Sequence, residues 1–532
     1  MKRWLLVLTL VAAATAGAPF DAAAPVRYRF SFPAPEDRWM QVDATFTELP
    51  AAPLELRMSR SSPGRYSAHD FAKEVYDVHA YTPDGRELRT ERPDDSGWRV
   101  PAHGGTVAMK YKVRGNRLDG TYLAIDSSHA HINMPAAIMW GRGLDDRPAA
   151  LTFQSPPGAD WQIATQLFGD GSPYDPRRPV AEFTAPNLQY LMDSPVEFGP
   201  LTVESFVVGP RTFRLAVHHT GTAGEVQMVV GDVAKIVQQQ GAIYGEFPSF
   251  EPGVYTFLVD YLPQANADAM EHRNSTVITA PRSITRSRLD LLDSVAHEFF
   301  HAWNVERIRP RSLEPFDLNR PNPSGELWLA EGFTQYYGPL VLQRAGIVDL
   351  RHTTGVFTTL LRTIGAESGR LARSAEEISR RAVVTDGGGA DGATWVDDVS
   401  YYQLGAAIAL SLDLSMRQRS NGRLSLDDFM QQMWRRYGKP GGARQGYVDR
   451  PYTMADAEAT LAGITDRAFA RDFFNRYIKG RELADYQRLL APAGFLVKRA
   501  PRGSVEVVPI ESAGGTLTVA QRTFRDDWLG PK

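Results

Sequence analysis

The sequence predicts an α+β protein of several domains: an N-terminal antiparallel β domain, a central domain in which strands give way to helices, and a helical C-terminal domain. Two observations carry this prediction. At 532 residues the chain is several times the usual domain length. The apolar period also changes along it, from strand-like alternation over Val26 to about Phe153 to helical spacing over Ile284 to Ile308.

The first residues read as an export signal. Lys2 and Arg3 precede an apolar run from Trp4 to Ala14, followed by small residues suited to cleavage. The run is too short to span a bilayer. We therefore expect residues 1–24 to be a signal peptide and the protein to be exported, periplasmic or secreted. Cysteine is absent, which excludes disulfides, thiolate metal ligands and a cysteine nucleophile. With 43% hydrophobic and 23% charged residues and a net charge of −3, the chain has no basic tract for nucleic acid. No later segment has the uninterrupted apolar length of a membrane span.

Residues 25–195 are expected to form a β-sandwich-like domain. Arg27-Tyr28-Arg29-Phe30-Ser31-Phe32 and Thr106 to Val113 alternate in and out, with Ser62-Pro63-Gly64 and Pro83-Asp84-Gly85 as turns. His129 and His131, two apart on such a run, point at one spot. A pair without a third ligand is more often incidental than a metal site.

The central domain, residues 196–423, opens with strands such as Gly253 to Asp260 and continues into two helices, Ile284 to Ile308 and Leu327 to Leu342. From 424 to 494 the reading is helical, with Ser425 and Thr453 as N-caps. Residues 495–532 read as a short strand-like tail without a further helix.

The chemistry concentrates in His297-Glu298-Phe299-Phe300-His301. Residues four apart share one helical face, so both imidazoles can reach one ion while Glu298 lies beside its open position. Zinc accepts neutral nitrogen and carboxylate donors, and three protein ligands leave a place for water. Glu331, in the first turn of the second helix, can complete a His-His-Glu set of the thermolysin kind. One Zn2+ per chain and a thermolysin-like zincin fold for residues 196–423 are the resulting expectations.

Together these segments resemble a known family. His297 to Val305, Arg307-Ile308-Arg309-Pro310 and Leu327 to Tyr337 are similar to the glycyl aminopeptidases, gluzincin metallopeptidases that usually carry a PDZ domain. Pro63-Gly64-Arg65-Tyr66 with Asp70-Phe71-Ala72, and Asp485-Tyr486 with Leu489-Leu490 and Ala493-Gly494, extend the likeness over most of the chain. Two departures stand out: Glu306 occupies a position where the family often has lysine, and after Gly494 about forty residues remain, too few for a PDZ domain of roughly 80 to 100.

An aminopeptidase needs a group that grips the free α-amine, and a carboxylate makes a strong charge-assisted bond to an ammonium. Ala269-Met270-Glu271-His272 resembles the amine-binding motifs of related aminopeptidases, which assigns Glu271 to the amine and Met270 and His272 to its flanks. Asp268 and Ala269 stand where those motifs have glycines. Tyr401-Tyr402-Gln403-Leu404-Gly405 resembles the motif whose tyrosine faces the oxyanion; spacing matches Tyr402, with Tyr401 as the alternative. The resemblance implies hydrolysis of the N-terminal peptide bond of peptides, with Glu298 as general base and a preference for Gly or other small N-terminal residues. Two rival readings are a thermolysin-like endopeptidase, which needs no amine clamp, and an exported zinc-containing binding protein without catalysis.

Overall fold

The computed structural model describes residues 24–169, 180–366, 371–386, 400–499 and 505–532. The predicted signal segment lies outside them, except for Ala24.

Strand alternation places the N-terminal core. In Val26–Ser31, Trp39–Phe46 and Val107–Arg114 buried residues alternate with more exposed ones, as a half-buried sheet requires. These strands belong to an eight-stranded sheet whose described pairings are antiparallel, apart from the parallel pairing of Val26–Ser31 with Ala149–Gln154. Phe30 and Phe153 stack across that pair at 4.7 Å. Two four-stranded sheets complete the unit. One of them contains Val196–Gly199, paired with Ala130–Ile132 and Gln162–Thr165. The first unit thus runs to about residue 200 rather than ending at 195. Val196–Gly199 is buried on both faces and only four residues long, too short a run for sequence alone to assign as a strand.

A second sheet follows, built from β1 (Thr202–Val208), β2 (Arg211–His219), β3 (Val254–Tyr261), β4 (Asp268–His272) and β5 (Ser275–Ala280), in the order β1-β2-β3-β5-β4. β3 pairs parallel to β2 and β5, and seven of its eight residues are buried, the run expected of a strand covered on both faces. Helix α1 (Ala223–Tyr244), started by a Thr222–Glu225 capping box, packs with α2 (Arg288–Phe300) on one face, where Tyr244 stacks on Trp303 at 4.6 Å. The other face meets the N-terminal unit, burying Ala216, Leu258 and Val277 against Ala164 and Leu201.

The first predicted helix is shorter than its apolar period suggested. It starts at Arg288 and ends at Phe300, and the chain continues to Ile308 in tight turns. The second is broken into α3 (Leu327–Ala330) and α4 (Gly332–Arg344), with Glu331 at the joint. Helices α5 (Leu350–Ala366) and α6 (Tyr401–Ser420) follow. Ser425 and Thr453 do cap helices, each in a capping box with Asp428 or Asp456. These C-terminal helices share one buried core with the central sheet.

The C-terminal tail departs from expectation. Phe495–Arg499 and Val505–Pro509 pair as strands, but the chain then forms α7 (Val519–Leu529) with a Thr518–Gln521 capping box. Trp528 of α7 is fully buried, stacked on Phe357 at 5.5 Å and donating to the Tyr336 hydroxyl at 2.9 Å. The charged run Arg525-Asp526-Asp527 conceals the narrow apolar stripe of that helix. Among the described residues no helix is long and apolar enough to cross a membrane.

Candidate metal centre

α2 buries Leu291, Leu292, Val295, Phe299 and Phe300. His297 and His301, one turn apart at its C-terminal end, share the remaining side, with ring centroids 4.9 Å apart. Glu331 meets them from the α3–α4 joint: its Oε2 lies 3.6 Å from His297 Nε2 and 3.2 Å from His301 Nε2. One donor atom from each residue falls within 4.8 Å of the other two. Around a tetrahedral zinc with bonds of ~2.0–2.2 Å, ligand atoms stand about 3.3–3.5 Å apart. Two imidazole nitrogens and a carboxylate at this spacing fit that ion.

Surrounding groups fix the three ligands. The Nδ1–H of His301 donates to the Asn304 carbonyl at 2.6 Å, which selects the tautomer whose Nε2 is free to ligate. The Asn304 amide donates to the carbonyls of Leu329 and Ala330 at 3.1 and 3.0 Å. Those carbonyls immediately precede the break at Glu331, where the helical ladder is interrupted. Asn304 therefore ties His301 to the joint that carries Glu331. From the N-terminal unit, the Tyr66 hydroxyl donates to Glu331 Oε1 at 2.5 Å.

Glu298 is buried and its Oε2 has no hydrogen-bond partner among the described residues. Burial pushes its carboxyl well above the ordinary range, with Glu271 and Glu331 adding to the shift and His301 opposing it. Glu271, on β4, comes within 4.8 Å of both Glu298 and His301, and burial raises its carboxyl too. It lines a cleft shared with Pro63, Gly64, Tyr66, Val305 and Glu306. Met270 and His272 do not line this cleft. They project from the opposite face of the strand and are fully buried. Met270 packs beneath Gly64, and His272 holds Asp193 at 2.9 Å.

Tyr402 stands over the histidines, its ring centroid 6.1 Å from that of His297. Burial and the nearby Glu331 hold its hydroxyl protonated far above neutral pH. Tyr401 stacks behind it at 4.6 Å and donates to Asp386 at 2.7 Å. Of the two candidates, Tyr402 is the one that faces the centre. Tyr402 and Glu331 are brought together by α6 and α4, which cross with Gly405 and Gly332 in contact: a Cβ on Gly332 would lie 2.3 Å from the Gly405 Cα.

The departures seen in the sequence find local explanations. Asp268 forms an ion pair with Arg65 and accepts from the Gly120 amide at 3.0 Å, joining the start of β4 to the N-terminal unit. Glu306 is buried in an ion pair with Arg309 at 2.8 Å and contributes no metal ligand. Tyr66, Asn304 and Gly405 had no assigned role, although each lies inside a segment that carries the family likeness. Their roles depend on contacts made far along the chain.

The sequence matches the Peptidase M61 N-terminal domain over residues 27–200 and the M61 glycyl aminopeptidase domain over residues 290–408. The chain belongs to the M61 glycyl aminopeptidase family. The activity named for that family is that of an aminopeptidase. Among solved structures it is similar to an aminopeptidase N family protein from Idiomarina loihiensis, at 24% identity and a TM-score of 0.81 over 93% of this chain and 82% of that one. It also resembles the M1 zinc metallopeptidase from Deinococcus radiodurans, at 15% identity and a TM-score of 0.52 over 86% of this chain and 94% of that one. A variant of that enzyme has been solved with a Tyr-Ser-Ala substrate bound, and matches at a TM-score of 0.50 with 15% identity over the same shares of both chains. No curated protein sequence matches the chain.

Proposed function

We propose that this M61 peptidase removes the N-terminal residue of peptides, using one catalytic zinc held by His297, His301 and Glu331. The observation that carries this reading is the Glu271 carboxylate, within 4.8 Å of Glu298 and His301. A carboxylate there can bind an α-ammonium only one residue away from the carbonyl under attack.

Zinc in this set supplies Lewis acidity, making water a stronger acid and polarising a carbonyl. Glu298 takes the proton of the attacking water through its unpartnered Oε2 and later passes it to the departing amine. The Tyr402 hydroxyl, kept protonated by burial, donates to the developing oxyanion. Glu271 fixes the register. Behind it the chain is packed tight: a Cβ on Gly64 would come 2.6 Å from Met270 Cγ and 3.0 Å from Glu271 Oε2. The match to the glycyl aminopeptidase domain supports a preference for glycine or another small residue at the substrate N-terminus.

The test is a panel of aminoacyl amides, amine free or acetylated, hydrolysed by wild type, Glu271→Gln and Glu298→Gln with zinc content measured on each. Wild type should cleave only free-amine substrates, fastest with glycine or alanine. Glu298→Gln should retain zinc and lose ~10²–10⁴ in kcat. Glu271→Gln should lose ~10²-fold or more in kcat/KM, the worth of a buried charge-assisted bond. Equal cleavage of acetylated substrates, unaffected by Glu271→Gln, would make the protein an endopeptidase.

A further inference from the structure

Where the central sheet faces the N-terminal unit, a second group of histidines and carboxylates is buried. On the central sheet His218 of β2 and Asp260 of β3 are register partners. On the facing sheet His131 and Glu197 are register partners in Ala130–Ile132 and Val196–Gly199, and His129 precedes the first of these strands. All five side chains belong to residues at most 4% exposed. His129, Glu197, His218 and Asp260 each place one ligand-capable atom within 4.8 Å of those of the other three.

Four of their polar atoms have no hydrogen-bond partner among the described residues: His129 Nε2, Glu197 Oε1, His218 Nδ1 and Asp260 Oδ1. His218 Nδ1 stands 3.5 Å from Asp260 Oδ1 without the geometry of a hydrogen bond. An unsatisfied buried polar atom is costly, and four in one place fit a ligand that accepts lone pairs from all of them. Their other atoms are oriented from outside. His129 Nδ1 pairs with Asp126 at 3.2 Å, and Glu197 Oε2 pairs with His131 Nδ1 at 3.0 Å. Outer partners of this kind fix ring tautomer and carboxylate direction around bound metals. The charge also fits a dication. Glu197 and Asp260 are buried carboxylates with ligand-capable oxygens within 4.8 Å of each other, and a dication between them offsets their repulsion.

We propose that His129, Glu197, His218 and Asp260 hold a second divalent ion, distinct from the catalytic one and sealed between the two sheets. Two imidazoles and two carboxylates with no exposed edge make a closed four-ligand site, which suits zinc in a structural role. The ion clamps the N-terminal unit, and with it Tyr66 and Gly64, onto the central sheet. Sequence spacing hides this site: His129 and His131 form an unremarkable pair, and the remaining ligands come from strands far along the chain. His131, the more obvious partner of His129 in sequence, orients Glu197 instead.

Two measurements test this. Protein loaded with excess zinc and freed of unbound ion should carry about two equivalents per chain, falling to about one in His297→Ala and to about one in His129→Ala/His218→Ala. Because the double variant removes buried side chains and can fail to fold, the second measurement uses wild-type crystals. Anomalous diffraction at the zinc edge should show one peak at His297, His301 and Glu331 and another among His129, Glu197, His218 and Asp260. Wild type with one equivalent that vanishes in His297→Ala overturns the proposal, as does an anomalous map without the second peak.

Discussion

The hydroxyl of Tyr66, in the N-terminal unit, donates to the carboxylate of Glu331, the metal ligand carried by the α3–α4 joint. The metal centre is therefore completed by a domain other than the one that supplies its ligands. Glu331 Oε2 faces the histidines and Oε1 faces Tyr66, so the bond sets which oxygen is presented to the ion. Tyr66→Phe removes this bond, leaves a buried carboxylate oxygen without that donor, and keeps the ring packing. Outer-shell losses of this type weaken metal binding by ~10–100-fold. Competition with a chelator should show that weakening in Tyr66→Phe; unchanged affinity would mean that Glu331 is held by its helices alone.

Asn304 joins the two helical segments by both its main chain and its side chain. Asn304→Ala keeps the carbonyl that orients His301 but removes the amide that satisfies Leu329 and Ala330. The Ala330 carbonyl keeps the Thr334 hydroxyl at 2.7 Å, but leaving the buried Leu329 carbonyl without its donor costs ~1–3 kcal/mol. The expected result is a lower denaturant midpoint together with weaker zinc retention, because the freed joint carries Glu331. A stability loss with zinc affinity intact would show that the joint is held in place by other contacts.

Gly405 lies one turn beyond Tyr402, and in Gly405→Ala the new Cβ would fall 2.3 Å from the Trp328 carbonyl oxygen and 2.7 Å from the Gly332 Cα. Both are backbone atoms and cannot rotate away, so α6 must withdraw from α3 and α4. Overpacking of this kind costs ~1–3 kcal/mol, occasionally more. The displacement separates Tyr402 from Glu331, so kcat should fall more than KM rises. A variant with a lower thermal midpoint but wild-type kcat would show that the crossing supports stability only.

How much of this was legible in advance follows from the range of each interaction. His297, Glu298 and His301 lie within one helical turn of each other, and helix geometry alone brings them together. Glu331 was found because it lies in the first turn of a second apolar-periodic helix, although the break that aims it depends on Asn304. Strand alternation revealed the N-terminal unit along its longer half-exposed strands and missed Val196–Gly199, a buried run of four residues whose Glu197 reads as a surface position. Assigning Met270 and His272 to the cleft overlooked the alternation of a strand, which turns them away from Glu271. Tyr66 and the Glu197–Asp260 pair depend on tertiary packing across more than sixty residues of sequence, and no local pattern marks them.

Acid stability offers a check on the frame behind the metal centre. The Arg307 guanidinium bonds to the carbonyls of Arg273, Ala302 and Ser249, tying the turn after α2 to the end of β4. Glu251 balances this charge, 2.6 Å from Arg273 Nε and 3.3 Å from Arg307 Nη2. Burial by itself raises the Glu251 carboxyl, but Arg273 and Arg307 overcome that and hold it at about 2. A carboxyl near 2 when folded and ~4.3 when unfolded binds its proton first in the unfolded chain. Its contribution, about 3 kcal/mol, is therefore complete above pH ~5 and is lost as pH falls through 4 toward 2. Unfolding free energies of wild type and Glu251→Gln, measured with chelator present so that metal loss is common to both, should converge by about that amount between pH 5 and pH 2. Parallel curves over this interval would show that Glu251 keeps no preferential ionisation in the folded protein and that Arg307 is held by its backbone acceptors alone.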